Sequence, residues 1–500
     1  MSIWRTKSIE QSIRDTDEPG YRLRRDLNGF DLIVFGIGVI IGTGIFVVTG
    51  RQAAENAGPA IVLSFLAAGA VCALAAMCYA EFASTVPVAG SAYTFGYATL
   101  GEFVAWIIGW DLILEFTLAA SVVSVGWSEY AGDLLALPTT VTLAGLPVNL
   151  GAVAIAVLLG LVGMLGAKLS GRVTAVVVAI KVGIVLFIIA VGAAYVDPAN
   201  WTPFIPPAQP AAADTTGVSD ATLTHVLFGL EPTSFGPWGV VAAASVVFFS
   251  FIGFDIVATT AEETRNPRRD IPVGIFGSLL IVTLLYMAVA AVVTGMRPYT
   301  ELNVTAPLSD AFRSVGADWA ATLISLGGVI GITTVILVLM MGQARVAFAM
   351  SRDGLLPRAL SRIHPRFGTP YVTTLLTTAA VALLGGLVPI STLEEMVNIG
   401  TLFAFVVVSV GVVVLRSLRP DLPRAFRVPW SPVLPLLAAL SCLWLMLNLT
   451  ALTWIRFAVW LVIGVAIYFL YGIHHSRLAA PPAQPSGEEG EGVGEGFLGA

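Results

Sequence analysis

The sequence predicts an all-α membrane protein of twelve transmembrane helices, and three observations carry that expectation. Of its 500 residues, 57% are apolar and 12% charged, and the mean hydropathy is +0.87. A soluble domain carries roughly twice that share of charge, so lipid is the solvent this chain is written for. Apolar stretches long enough to cross a bilayer recur twelve times along it. The Lys and Arg residues between them are sorted to one side, as a membrane sorts them.

The stretches cover 30–50, 59–84, 101–126, 149–168, 172–195, 237–260, 272–296, 318–350, 370–389, 393–415, 432–450 and 454–473. The one at 318–350 is too long to lie wholly in lipid, so its end from Gln343 is expected to extend into the cytoplasm. With the N-terminus inside, 21 of the 26 Lys and Arg fall in cytoplasmic segments. Four (Arg51, Arg297, Arg313 and Arg456) fall outside, and one, Lys181, lies within a span. A miscounted span would scramble that bias, so both termini are expected in the cytoplasm. The chain is polar up to Phe30, with no short apolar core and cleavage site, so the first span is expected to insert and stay.

The expected organisation follows. Residues 1–29 form a cytoplasmic segment, 30–195 a first repeat of five spans, and 196–236 an extracellular loop with room for a short helix. Residues 237–415 form a second repeat of five, and 416–478 hold the last two spans with flanking loops. The Pro-, Gly- and Glu-rich tail 479–500 is expected to be disordered.

Several kinds of chemistry are disfavoured. Cys72, Cys78 and Cys442 sit in apolar segments without paired spacing, which argues against disulfides. His225, His364, His474 and His475 are scattered through loops and the tail, a poor basis for a metal site. No Gly-Lys-Ser/Thr phosphate loop is present to bind ATP. No catalytic constellation converges at one depth, so the chain is not expected to be an enzyme, and no cofactor is expected.

Glycine interrupts two spans. The first reads Phe35-Gly-Ile-Gly-Val-Ile-Ile-Gly-Thr-Gly-Ile-Phe46. Gly36, Gly38 and Gly42 could line a small-residue helix interface. The denser Gly42-Thr43-Gly44 fits local unwinding, which is tolerable at membrane depth only where the freed backbone lines a cavity. Two half-helix ends then face one point, N–H groups toward an anion and carbonyls toward a cation. A zwitterionic α-amino acid supplies both. The sixth span repeats the device in Ser245-Val-Val-Phe-Phe-Ser-Phe-Ile-Gly-Phe-Asp255. A break in span one and another five spans later is the layout of inverted repeats.

Four stretches resemble the cationic amino acid transporter branch of the amino acid–polyamine–organocation superfamily. They are Gly36-Ile-Gly-Val-Ile-Ile-Gly-Thr-Gly-Ile-Phe46, Tyr79-Ala-Glu-Phe-Ala-Ser-Thr-Val-Pro-Val-Ala-Gly-Ser-Ala-Tyr93, Phe249-Ser-Phe-Ile-Gly-Phe-Asp255 running into Ala261-Glu-Glu-Thr-Arg-Asn-Pro-Arg-Arg-Asp-Ile-Pro272, and Phe348-Ala-Met-Ser-Arg-Asp-Gly-Leu-Leu-Pro357. The resemblance implies a LeuT-type fold, ten core spans in two inverted repeats plus two extra spans. It implies a substrate carboxylate on the backbone N–H groups of Thr43 and Gly44, with Ile45 close by. It places the substrate amino group at carbonyls of Ile40 or Ile41 and of the sixth span around Phe249, Ser250 and Ile252.

Lys181 lies about nine residues into span five, or ~13 Å of helix, too deep to snorkel easily. A lysine there is costly unless paired or neutral. It reads either as a group that exchanges a proton or as a fixed charge holding carbonyls of span one. The resemblance implies the first, because a lysine on span five takes the place of the ion in proton-coupled relatives of sodium-driven transporters. Asp255 could relay protons or cap the half-helix. Asp111 and Glu115 share one face of span three, and Glu115 could meet a cationic side chain in the pocket or be purely structural. Ile332 and Thr333 are expected to wall the side-chain pocket, with Ile332 favouring smaller, neutral side chains. Glu81, Glu262, Glu263 and Arg265 lie near cytoplasmic ends, where an inner gate or simple solvation would explain them.

The function expected is secondary active amino-acid transport at the plasma membrane, with a proton as coupling ion. An exchanger of amino acids or polyamines is the alternative, and a membrane sensor that binds without transport is a weaker one. The partners expected are a small amino-acid substrate and the lipid bilayer, not nucleic acid, with a small accessory membrane subunit left open.

Overall fold

Each of the twelve apolar stretches is helical in the computed structural model. It describes residue 5 and residues 26–85, 91–143, 145–166, 171–210, 221–231, 233–260, 263–422 and 424–477. The expected N-terminal segment but for its end and Arg5, the tail 479–500, Val86–Gly90 of the second motif, Ala261 and Glu262 lie outside the described residues. We label the helices α1 (Gly29–Ile40), α2 (Ile61–Thr85), α3 (Glu102–Leu135), α4 (Leu150–Met164), α5 (Gly171–Gly192) and α6 (Gly236–Val247). There follow α7 (Pro267–Met296), α8 (Asp318–Arg352), α9 (Tyr371–Leu387), α10 (Ile390–Leu418), α11 (Val433–Leu447) and α12 (Ala451–Ile467). Among the described residues, eight helices are long and apolar enough to cross a membrane, and α1, α4, α9 and α11 are shorter apolar helices.

Local signals set the ends. Asn28 caps α1: Phe30 and Asp31 donate their backbone N–H to its side chain, and the Asn28 N–H donates back to the Asp31 carboxylate at 3.0 Å. Such a reciprocal cap stabilises a helix start by ~1 kcal/mol. Helix α3 runs on to Leu135, nine residues past the apolar stretch that announced it, and ends at Ala136 in the left-handed region. The long eighth stretch is one unbroken helix to Arg352. Gln343 is buried in it and accepts from Thr377 on α9, so this part of its end packs against protein.

The loop 196–236 contains the anticipated short helix, Leu223–Phe228, and a two-residue antiparallel pairing of Gln209–Pro210 with Thr233–Ser234. A second small hairpin joins Val141–Leu143 to Leu146–Val148 between α3 and α4.

Helices α3 and α8 pack along each other at the centre, α7 lies against α1 and α2, and α10 against α3 and α11. Helices α3, α6 and α10 are mostly buried, whereas α5 and α12 leave broad apolar faces exposed. Exposed aliphatic side chains on those faces, Val176, Ile180 and Leu186 on α5 and Ile455, Val459, Val462 and Ile463 on α12, fit lipid.

Candidate functional site

The first apolar stretch is two helices. Backbone at Ile41 turns to φ −69°, ψ 100°, ending α1, and helix resumes at Gly44 with a π-helical turn, Gly44–Val48. From there it continues through Ala57 and a short turn into α2. The sixth stretch breaks likewise. After α6 a tight turn, Phe248–Phe251, leads to Ile252 in extended geometry and Gly253 at φ +118°, and a short helix, Phe254–Thr259, completes it. A side chain at Gly253 would be strained by that φ alone.

The two breaks cross in contact. A Cβ on Gly44 would strike the Ser250 Cα, and one on Gly253 would come within 2.7 Å of Val39. Each glycine therefore lets one break seat on the other. Gly36 and Gly38 behave differently: they face side chains of Ser278 on α7 and Val178 on α5, the close packing that small residues permit in any membrane helix. Both readings of the glycine run thus hold, at different positions.

The opened carbonyls of α1 are occupied. Lys181 Nζ donates to the Gly38 carbonyl at 2.5 Å and to the Ile41 carbonyl at 3.1 Å. Tyr286 on α7 donates its hydroxyl to the Ile40 carbonyl at 2.8 Å. Lys181 is 1% exposed and no acid pairs with it among the described residues, so dipoles of the break are its counter-charge. Beyond the break, no side chain caps the helix that restarts at Gly44. Its first N–H groups are the open end of the site.

A small, partly open pocket lies between the breaks and the central helices. Ile40, Thr43, Gly44, Phe249 and Ile252, all anticipated from sequence, line it. Val39, Gly42, Ala119, Val123, Val335 and Leu339 complete the wall. Among these lining residues none is charged, and Thr43 carries the one hydroxyl. The other anticipated residues sit elsewhere. Ile41 and Ile45 are buried beside the break without facing the cavity, and Ser250 is buried under Gly44 with its hydroxyl unpartnered. Ile332 is fully buried on α8, and Thr333 accepts from the Trp127 indole at 2.9 Å, outside the lining.

Asp111 and Glu115 are buried but face α10: a Cβ on Gly400 would come within 3.1 Å of the Asp111 carboxylate and 4.0 Å of the Glu115 Cβ. Glu115 thus stands behind the cavity wall, not in it. Asp255 is buried in the first turn of the short helix after the sixth-span break.

Ion pairs lie toward both ends of the bundle. Toward the expected outer side, Arg51 pairs with buried Glu394 at the start of α10, Arg297 with Asp310 and Glu301, and Arg313 with Asp133. Toward the inner side, Glu81 is buried and pairs with Arg416 and Arg424 while accepting from the Val428 N–H at 2.7 Å. Solvation therefore does not explain Glu81. Glu263 and Arg265 act through backbone, holding Leu27 ahead of α1 at 3.0 and 2.8 Å.

Comparison with known proteins agrees with this architecture. A family model described as amino acid permease matches residues 27–473. The chain belongs to the amino acid permease family. It is similar to the branched-chain amino acid permease BcaP of Bacillus subtilis (strain 168), 49% identical over 95% of this chain and 99% of that protein. A methylthioribose transporter of the same organism is 44% identical over the same shares. The vacuolar cationic amino acid transporter 4 of Arabidopsis thaliana is 36% identical over 84% of this chain and 68% of that protein. The permease is thus a multi-pass membrane transporter of amino acids, not an enzyme, and the resemblance of its four motifs to the superfamily stands.

Sequence reasoning missed Tyr286 and Asn398. Asn398 on α10 donates to the Val246 carbonyl at 3.2 Å, one turn before the second break. Each is a hydrogen-bonding side chain among other polar residues of its helix, a weaker signal than the lone charge of Lys181. The wall residues Ala119, Val123, Val335 and Leu339 carry no such signal.

Proposed function

We propose that this permease is a proton-coupled secondary active transporter of a neutral, aliphatic α-amino acid, bound between the breaks and moved by alternating access. The observation that carries the reading is the cavity itself: break backbone on one side, apolar side chains around it, no charge in its lining. The uncapped N–H groups at Gly44 suit a substrate carboxylate. With the carbonyls of Gly38, Ile40 and Ile41 taken by Lys181 and Tyr286, the substrate ammonium is left to the carbonyls of the sixth-span turn. A guanidinium in the same walls would lose its hydration without a counter-charge, at a cost of several kcal/mol. The name of the branched-chain relative points the same way.

Proton coupling rests on Lys181. It bridges Gly38 and Ile41 across the end of α1, so loss of its proton would weaken two charge-assisted bonds that shape the break. The reciprocal seating of the two breaks is what two inverted repeats would produce, which supports the LeuT-type arrangement of twelve spans. The charge bias supports cytoplasmic termini, and a plasma-membrane location is proposed beside it, since the bias orients the chain and does not choose the membrane.

The deciding experiment uses purified permease in liposomes. Labelled leucine, arginine and a diamine are offered to empty vesicles under an inward proton gradient. Concentrative leucine uptake that collapses with an uncoupler is expected. Uptake only into vesicles preloaded with amino acid would favour the exchanger, and preference for arginine would remove the neutral-substrate reading.

A further inference from the structure

A second space, toward the expected cytoplasmic side, lies apart from the transport site: a cleft between α4, α8 and α9. Its walls are mostly apolar, including Leu159, Gly163, Leu337, Met340 and Met341, and Arg345 stands at one end. Arg345 is exposed and has no hydrogen-bond or ion-pair partner among the described residues.

Depth along α8 gives the cleft its meaning. Val335 lines the cavity between the breaks, and Arg345 follows it by ten residues on the same helix. That is ~15 Å of rise, about half the ~30 Å thickness of bilayer hydrocarbon. If the broken helices meet near mid-membrane, Leu337 lies close to the midplane and Arg345 at the inner headgroup level. An apolar slot that runs over this depth to an unpaired guanidinium has the form of one acyl chain ending in an anion. The last residue of α8 and the connection after it add Arg352, Arg358, Arg362 and Arg366 against a single acid, Asp353, which already accepts from Tyr93 at 2.8 Å. Its positive excess favours anionic lipid at the cytoplasmic surface.

We infer that this cleft binds an anionic phospholipid of the cytoplasmic leaflet, with an acyl chain between α4, α8 and α9 and its phosphate on Arg345. Arginine meets phosphate with two parallel N–H donors, which lysine cannot reproduce. The inference is independent of the transported substrate and relies only on the inward placement of this end of α8.

Gly163 provides a second handle. A Cβ there would find only ordinary contacts, 3.7 Å to Thr374 and 4.0 Å to Leu337, so a larger side chain enters the cleft without disturbing backbone. Full-length permease, delipidated in neutral detergent, is titrated with phosphatidylglycerol or phosphatidylcholine and followed by native mass spectrometry and thermal unfolding. Retention of phosphatidylglycerol with a preference of about tenfold or more, and a rise in Tm with that lipid alone, is expected. Arg345→Gln should abolish the preference, Arg345→Lys should weaken it, and Gly163→Leu should abolish retention of either lipid. Equal retention of the two lipids by the unaltered protein overturns the proposal. So does an undiminished preference in either folded variant, Arg345→Gln or Gly163→Leu. Competition by glycerol phosphate, a headgroup without chains, would mark a simple phosphate site and would also overturn it.

Discussion

At the residue scale, one lysine and one tyrosine hold the opened end of α1. Lys181→Ala is expected to abolish pH-driven accumulation in liposomes while leaving measurable substrate binding, checked by uptake under an imposed gradient beside equilibrium binding. Unchanged concentrative uptake would take the lysine out of the mechanism. Tyr286→Phe removes the donor to the Ile40 carbonyl and leaves that buried acceptor alone, which should destabilise the permease by ~1–3 kcal/mol. A fall in Tm without loss of substrate specificity would register it. Lys181 could be found from sequence because a charge in an apolar helix has few uses. The walls that α3 and α8 contribute could not, since an apolar residue facing substrate and one facing lipid are written alike. That is why Ile332 was anticipated where Val335 lines the space: the two are one helical turn apart, ~4.5 Å along the axis.

At the scale of elements, the breaks and their fastenings decide what moves. Gly44→Ala places a methyl against the Ser250 backbone, which has no flexible end to give way. Transport should fall by at least about tenfold, or ~1.4 kcal/mol, with the protein still inserted. Gly183→Ala on α5 meets nothing within 4 Å and should transport normally, so the pair separates wedging from any general intolerance of side chains. Glu81→Gln takes the charge from two arginines that share it, one of them nearly buried. Loss of one partner from such a pair costs ~3–5 kcal/mol, and a matching drop in unfolding temperature is expected. The existence of both breaks was legible, the first from the dense Gly42-Thr43-Gly44 and the second from Gly253 five spans later. Their seating on each other was not, because it depends on which atoms two helices bring together across more than two hundred residues of chain.

Across the whole molecule, ion pairs lie toward both ends of the bundle: Arg51 with Glu394 toward the expected outer side, and Glu81 with Arg416 and Arg424 toward the expected cytoplasmic side. A tag at the C-terminus should resist protease added to intact cells and be cleaved in inverted vesicles, and the reverse result would invert every assignment of side. Where the helices lie was the most legible part of the chain, since long apolar runs declare themselves without reference to packing. The loop pairings and the extra turns of α3 rest on tertiary contacts that composition does not carry. The mutual seating of Gly44 on Ser250 and Gly253 on Val39 bears finally on leakage. On the alternating-access reading proposed above, each break would be the other's stop. A passage open to both faces would then require both seats to be vacated at once, with no bound substrate to offset the loss, and an idle carrier of that kind would leak few ions.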